Sequence, residues 1–429
     1  MQANNSLGRS YLLPLSFAMT VSMWAAAYLC RLPAVMAPSW VVLAMMLAAV
    51  AVWGWLTGNR VDGSWRSGVY VGAVAAVLNM LILGSLLRSA EGGGLVPSAL
   101  WWIPGSILAV AVVAGGFAAV ASAPGERSVP ADWTALFSKV AVAATFLLVV
   151  AGGLVTSNEA GLAVVDWPNT FGSNMFLYPL ARMTGGIYYE HAHRLFGALV
   201  GLTMVVLAVR LWRLDERLWV RRLALASVVV VMVQGLLGGL RVTGSLTLST
   251  SPEEMTPSIA LAIIHGVLGQ VFLGMVVALA VLTSRWWRMA PPEEPRATVT
   301  ADRNLQRWLV LSLVVQLVLG AVQRHLAWGL VIHVSLAAVV VMLAVVAGAR
   351  AWGLYHGVWP VQRLGQLLLG TVSVQVTLGI AALAVTLGEA VVGNPTVLEV
   401  MLATAHQATG AVLLGIAVTL HLWTRRIFR

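Results

Sequence analysis

Cysteine is almost missing from this chain, with Cys30 the only one in 429 residues. A single thiol excludes an intrachain disulfide and any cluster held by several thiolates, so redox chemistry here would have to come from a bound cofactor. Charge is also scarce. Charged residues make up 10% of the sequence against 59% apolar ones, and the mean hydropathy is +0.88, which excludes an ordinary soluble domain. Neither a P-loop nor an HExxH motif occurs. The 16 Asp and Glu are outnumbered by 26 Lys and Arg, but the bases lie between apolar runs and form no stripe or block. That pattern argues against nucleic acid and for topology signals facing anionic headgroups.

What is present is a series of apolar stretches of about 20 residues, the length a helix needs to cross a bilayer. They fall near 11–30, 38–57, 68–88, 99–122, 134–156, 191–212, 221–243, 258–284, 304–325, 328–349, 360–387 and 398–424. The sequence predicts an all-α polytopic membrane protein with twelve spans. The first stretch has Arg9 before it and Ala25, Ala26 and Ala27 within it, like a signal peptide, but it runs on to Cys30 and reads as a span.

Basic residues set the expected orientation, since they stay on the cytoplasmic side. Arg210, Arg213, Arg217, Arg221 and Arg222 crowd one connection. Arg285, Arg288, Arg296, Arg303 and Arg307 crowd another, Arg350 and Arg363 lie in a later one, and Arg425, Arg426 and Arg429 end the chain. The intervening connections carry Glu159, Asp166, Glu253, Glu254 and Glu389 and would be external. Both termini are then expected on the cytoplasmic side of an inner (cytoplasmic) membrane.

Four histidines recur in this frame as two nearly identical pairs. His193 and His265 are 72 positions apart, His333 and His406 are 73 apart, and the pairs are offset by 140 and 141. Each lies in a span running from outside to inside, within about two turns of the outer end. VAGGLVTSN (150–158) echoes VLGAVQRHL (318–326), and VQGLLGGLRVTG (233–244) echoes VQVTLGIAALAVT (374–386). Two copies of four helices each are parallel repeats, expected as two four-helix bundles over 134–284 and 304–424. Imidazole pairs on facing helices at one depth are what a buried haem iron needs on its two axial sides. Gly152, Gly153, Gly238, Gly239 and Gly320 would let backbones approach or leave room for a flat macrocycle.

The two copies differ at one place. Glu190 stands three residues before His193, one turn outward on the same helical face, whereas the second copy has Gly329, Leu330 and Val331 there and no acid. Glu190 is thus either an acid-base group beside an iron ligand or an interfacial carboxylate paired with Arg194 or Arg182. Arg194, Arg241 and Arg324, at outer helix ends, would partner haem propionates or snorkel to headgroups. His191 and His325 read as interfacial. His356 and His421, at the inner end, carry no assigned role.

GGLVTSNEAGLAVVDWPNTFG, GGIYYEHAHRLFG, IIHGVLGQ, LVLGAVQRH and TAHQATGAVLLG together resemble the haem A synthase family, over roughly 134–424. The resemblance implies eight helices in two pseudosymmetric four-helix bundles, and conversion of haem O to haem A by oxidising a porphyrin methyl group to a formyl group, through an alcohol, for the terminal oxidase. It further implies that His193 and His265 hold the substrate haem, with Glu190 as the catalytic carboxylate, and that His333 and His406 hold a permanent haem b. Haem O synthase and terminal oxidase assembly factors are the implied protein partners.

Two features depart from the family. The external loop after the first family helix lacks the cysteine pair of some bacterial members, which excludes any mechanism using those thiols. Residues 1–125 add four spans without histidine, and their Arg31, Arg60, Asp62 and Glu91 fall in connections. The rival reading is a dihaem electron-transfer protein of the quinol-linked cytochrome b kind, which needs haems at both faces. A transporter of parallel repeats would need broken helices and charged midplane residues.

Overall fold

The structure, a computed structural model, describes residues 10–61, 65–84, 96–121, 132–244, 258–290, 295–388 and 395–428. Arg9, Asp62, Glu91, Glu253, Glu254, Glu389, Arg429 and the stretch 122–131 lie outside the described residues. Among those described, twelve helices are long and apolar enough to cross a membrane. They are α1 (Leu12–Arg31), α2 (Ser39–Arg60), α3 (Trp65–Leu83), α4 (Ala99–Ala121), α5 (Trp133–Ser157), α6 (Gly185–Leu214), α7 (Leu218–Thr243), α8 (Ile259–Thr283), α10 (Val299–Leu326), α11 (Leu330–Leu354), α12 (Trp359–Gly388) and α13 (Val397–Ile427), with the short α9 (Arg285–Arg288) between spans. The chain is a multi-pass all-α membrane protein, as its apolar runs predict.

Two helices start well before their apolar runs. α6 begins at Gly185 instead of 191, and α10 at Val299 instead of 304. Hydropathy marks where lipid contact begins, but a helix continues wherever its polar side chains find partners. In α10, Asp302 is 2% exposed and accepts from Arg350 Nε and Tyr355 Oη, each at 2.5 Å. Burial, then the bond to Asp302, pushes the Tyr355 phenol up to about 12.

The chain divides into two compact units, residues 1–147 with 168–210, and residues 148–167 with 211–429. In the first, α1 is joined to α3 by a ladder of hydrogen bonds. Tyr11 Oη donates to Ser67 Oγ (3.1 Å), Ser16 Oγ to the Val71 carbonyl (3.1 Å), Thr20 Oγ1 to the Ala75 carbonyl (3.4 Å) and Trp24 Nε1 to Asn79 Oδ1 (3.0 Å). The partners stay 55 or 56 positions apart, so α1 and α3 run parallel and in step. The α4 backbone is gripped from two sides. A Cβ on Gly54 of α2 would lie 2.6 Å from the Ala114 carbonyl oxygen, one on Gly58 would collide with that of Ala118, and one on Gly72 of α3 would lie 2.7 Å from that of Val110. Helices in lipid associate through such close packing of small residues.

The other side of α1 docks on α5 and α6 through aromatic pairs. These are Tyr11 with Trp133, Phe17 with Phe137, Trp24 with Phe196, and Tyr28 stacked on Tyr188 with centroids 5.6 Å apart. Tyr188 Oη also donates to the Tyr28 carbonyl (2.7 Å), and Arg210 to Thr134 Oγ1 and the Ser10 carbonyl. The first of the four added helices therefore packs directly on the helix that carries Glu190 and His193.

In the second unit α10, α11, α12 and α13 close a ring, each touching the next and α13 returning to α10. α11 and α13 stand at opposite corners. Leu309, Leu313, Val340, Ala344, Leu368 and Leu414 fill the core. α8 packs against α10 and α13, and α7 against α8. In the α6–α7 connection burial opposes ionisation of Asp215, but the bonds from Arg217 outweigh it and hold the carboxyl below its usual range.

Gly58→Leu should lower the stability of the detergent-solubilised protein by about 1–3 kcal/mol through overpacking. Gly116→Ala, where an added methyl meets nothing within 4 Å, should leave it unchanged. Thermal unfolding of the two variants side by side checks both.

Candidate functional site

The start of α6 carries the densest polar cluster of the first unit. A hairpin pairs Asn169 with Asn174 and Thr170 with Ser173, turning through Phe171 and Gly172, both at positive φ (49° and 72°). This is the backbone that a two-residue primed turn demands, and it explains the FG dipeptide in the loop. The hairpin rests on α6. Thr170 Oγ1 lies 3.1 Å from His191 Nδ1, Arg194 Nη1 donates to the Asn169 carbonyl (3.0 Å), and the Tyr178 ring packs on the His191 ring. His191 is 1% exposed. It is a buried tie between loop and helix, not an edge residue in contact with headgroups, because the loop folds over it.

Glu190 is 4% exposed, and its Oε1 accepts from Arg194 Nη2 at 2.6 Å. The pairing that the sequence offered as one reading is formed, so Arg194 is engaged by a carboxylate and a carbonyl. The carboxylate stands one helical turn before His193, and the guanidinium fixes the direction in which it points.

His265, His333 and His406 belong to the second unit, and in each case the preceding helix shapes the surroundings. A Cβ on Gly238 of α7 would meet His265 Cε1 at 3.4 Å, one on Gly320 of α10 would meet His333 Cε1 at 3.2 Å, and one on Gly379 of α12 would meet His406 Cε1 at 2.9 Å. The space these glycines leave is filled by the edges of the imidazoles. Gly239 likewise accommodates the indole of Trp167, and Gly153 the Gln407 amide. One turn before each histidine-facing glycine stands a glutamine. Gln234 Nε2 donates to the His265 carbonyl (2.9 Å) and Gln316 Nε2 to the His333 carbonyl (2.9 Å), while Gln316 Nε2 also lies 3.1 Å from His333 Nδ1 and Gln375 Nε2 3.3 Å from His406 Nε2. Reading the sequence for ligands overlooked these glutamines, although a Gln-x3-Gly spacing precedes each of these three histidines in it.

His333 and His406 stand on α11 and α13 at opposite corners of one ring. Each lies within the first three turns of its helix, His406 deeper than predicted at the tenth residue of α13. Of the expected propionate partners, Arg324 donates to the Thr156 carbonyl (2.7 Å) and lies 4.0 Å from Glu159, and the Arg241 guanidinium lies over Gly161. Both therefore fasten the connection after α5. His325 is half-buried and close to Arg241. His356 is exposed, and His421 is half-buried in α13.

Residues 135–334 match the family model COX15-CtaA, cytochrome oxidase assembly protein. This core segment, a little under half of the chain, is similar to that family. No curated protein and no solved structure matches the chain. The chain is a multi-pass membrane protein whose core resembles a family of cytochrome oxidase assembly proteins. The matched segment runs from the start of α5 to just past His333, taking in Glu190, His193 and His265, while α1–α4 and His406 lie beyond it.

Removing one member of a buried ion pair strands the other in a low dielectric, at a cost of about 3–5 kcal/mol. Arg194→Leu should therefore destabilise the protein by that order, and Arg194→Leu with Glu190→Gln should recover part of the loss. Denaturation of the two variants in one detergent checks this.

Proposed function

We propose that this protein is a haem A synthase that oxidises the methyl group of haem O to a formyl group. The match of residues 135–334 to COX15-CtaA, cytochrome oxidase assembly protein, supports the pathway. The observation that carries the reaction is the placing of a buried, Arg194-held carboxylate one helical turn from His193, inside the matched segment. No carboxylate takes the equivalent place ahead of His333.

In this reading His193 and His265 hold the substrate porphyrin, and Glu190 is the catalytic carboxylate. It accepts a proton from the substituent being oxidised, or stabilises positive charge developing on its carbon. Arg194 keeps the carboxylate aimed. Burial of Glu190 keeps bulk water from it.

His333 and His406 would hold haem b, whose chemistry when bound is one-electron transfer. The chain fits it. Two imidazoles stand on opposite helices of one ring, glycines on the neighbouring helices make room for their edges, and His406 Nδ1 is buried without a hydrogen-bond partner.

Cells making haem O should accumulate haem A with the intact protein, and cells lacking haem O should not. Glu190→Ala should abolish haem A while leaving bound haem b in place. Pigment extraction reads both, and haem A at the intact level from Glu190→Ala would overturn the catalytic assignment. His406→Ala should instead deplete haem b, measured by the pyridine haemochrome of the purified protein.

A further inference from the structure

We propose that Gln316 and Gln375 are positioning residues for the haem b ligands, and Gln234 for the substrate ligand His265, each selecting which ring nitrogen faces iron. The inference rests on the reading that these histidines are axial ligands. It concerns residues outside the ligand set.

The three glutamines stand at the same place relative to a histidine-bearing helix. Gln234 and Gln375 are matched positions of the two copies, and each glutamine lies on the helix just before its histidine, with glycine four residues later. The contact is reciprocal in two of the three pairs. The imidazole edge lies over Gly238 or Gly379 of the glutamine's helix, while the amide lies over Gly269 or Gly410, one turn after the histidine: a Cβ there would sit 2.9 Å from Gln234 Nε2 and 3.3 Å from Gln375 Nε2. Glycine on both helices lets two polar side chains interlock where larger residues would hold them apart. In the third pair Ala337 takes the place of the second glycine.

The hydrogen-bonding capacity of each glutamine is only half used. Its Nε2 reaches the histidine it touches, but Oε1 of Gln234, Gln316 and Gln375 is buried with no partner, and so is Nδ1 of His406. Buried polar atoms are costly to leave unbonded, and here an acceptor and a ring nitrogen stand on two side chains in contact. An imidazole that binds metal through Nε2 carries its proton on Nδ1 and needs an acceptor for it, which fixes ring tautomer and orientation. The last torsion of glutamine is broad, so its amide can turn Oε1 toward Nδ1 without moving the helix. The glycines hold the Cε1 edge, and Nε2 of His265 and His333 is the nitrogen farther from them.

The test uses the full-length protein with its haem b, read by the low-spin electron paramagnetic resonance signal and by the rate of haem transfer to apomyoglobin. Gln316→Leu and Gln375→Leu should each shift the low-spin g values and speed haem b transfer roughly 10- to 100-fold, the usual loss for an outer partner of a metal-bound histidine. Gln234→Leu should leave that haem unaltered. Should Gln316→Leu fail to fold, Gly320→Ala serves, since its methyl crowds His333 Cε1 and should move the same g values. Folded variants with unchanged g values and transfer rates would overturn the positioning role. So would an equal effect of Gln234→Leu on haem b, which would mark general loosening. If the unaltered protein shows no bis-imidazole signal at all, the ligand reading itself fails.

Discussion

Inside hydrocarbon no water completes a hydrogen bond, and every polar group must find its partner within the chain. Helices solve this for the backbone. For side chains, several polar groups in the helices of this protein come with a specific answer. Trp24 has Asn79, Glu190 has Arg194, Asp302 has Arg350 and Tyr355, Gln306 has Thr424, and His191 has Thr170. Partners are scarce in a sequence with 10% charge, so each pairing also fixes how two elements are rotated about their axes. Specific packing follows from polar accounting as much as from apolar contact.

The same rule explains what could be read in the sequence. Twelve spans were legible because lipid requires long apolar runs, and the histidine spacing was legible because a duplication leaves an arithmetic trace. The starts of α6 and α10 were not, since Glu190 and Asp302 extend their helices through partners far away in sequence or around a turn. His191 looked like an edge residue because nothing in its neighbourhood says that a hairpin 20 residues earlier covers it. The glutamines were visible but without meaning until α7, α10 and α12 were seen beside α8, α11 and α13. A search for ligands weighs His, Cys, Asp and Glu, and passes over the amides that orient them.

Glycine has two distinct tasks here. In α2 and α3 it lets main chains touch, at Gly54, Gly58 and Gly72 against α4. In α7, α10 and α12 it makes room for an imidazole edge. The residue type and helical setting are the same, and only the neighbour tells backbone packing from site construction.

α1 is committed on two sides at once, to Ser67, Val71, Ala75 and Asn79 along one, and to Trp133, Phe137, Tyr188 and Phe196 along the other. Adding or deleting one residue midway would swing everything beyond it by about 100°, breaking both sets together. Over evolutionary time this segment can therefore exchange letters but not change its count, and an insertion or deletion in it would be heard at Glu190.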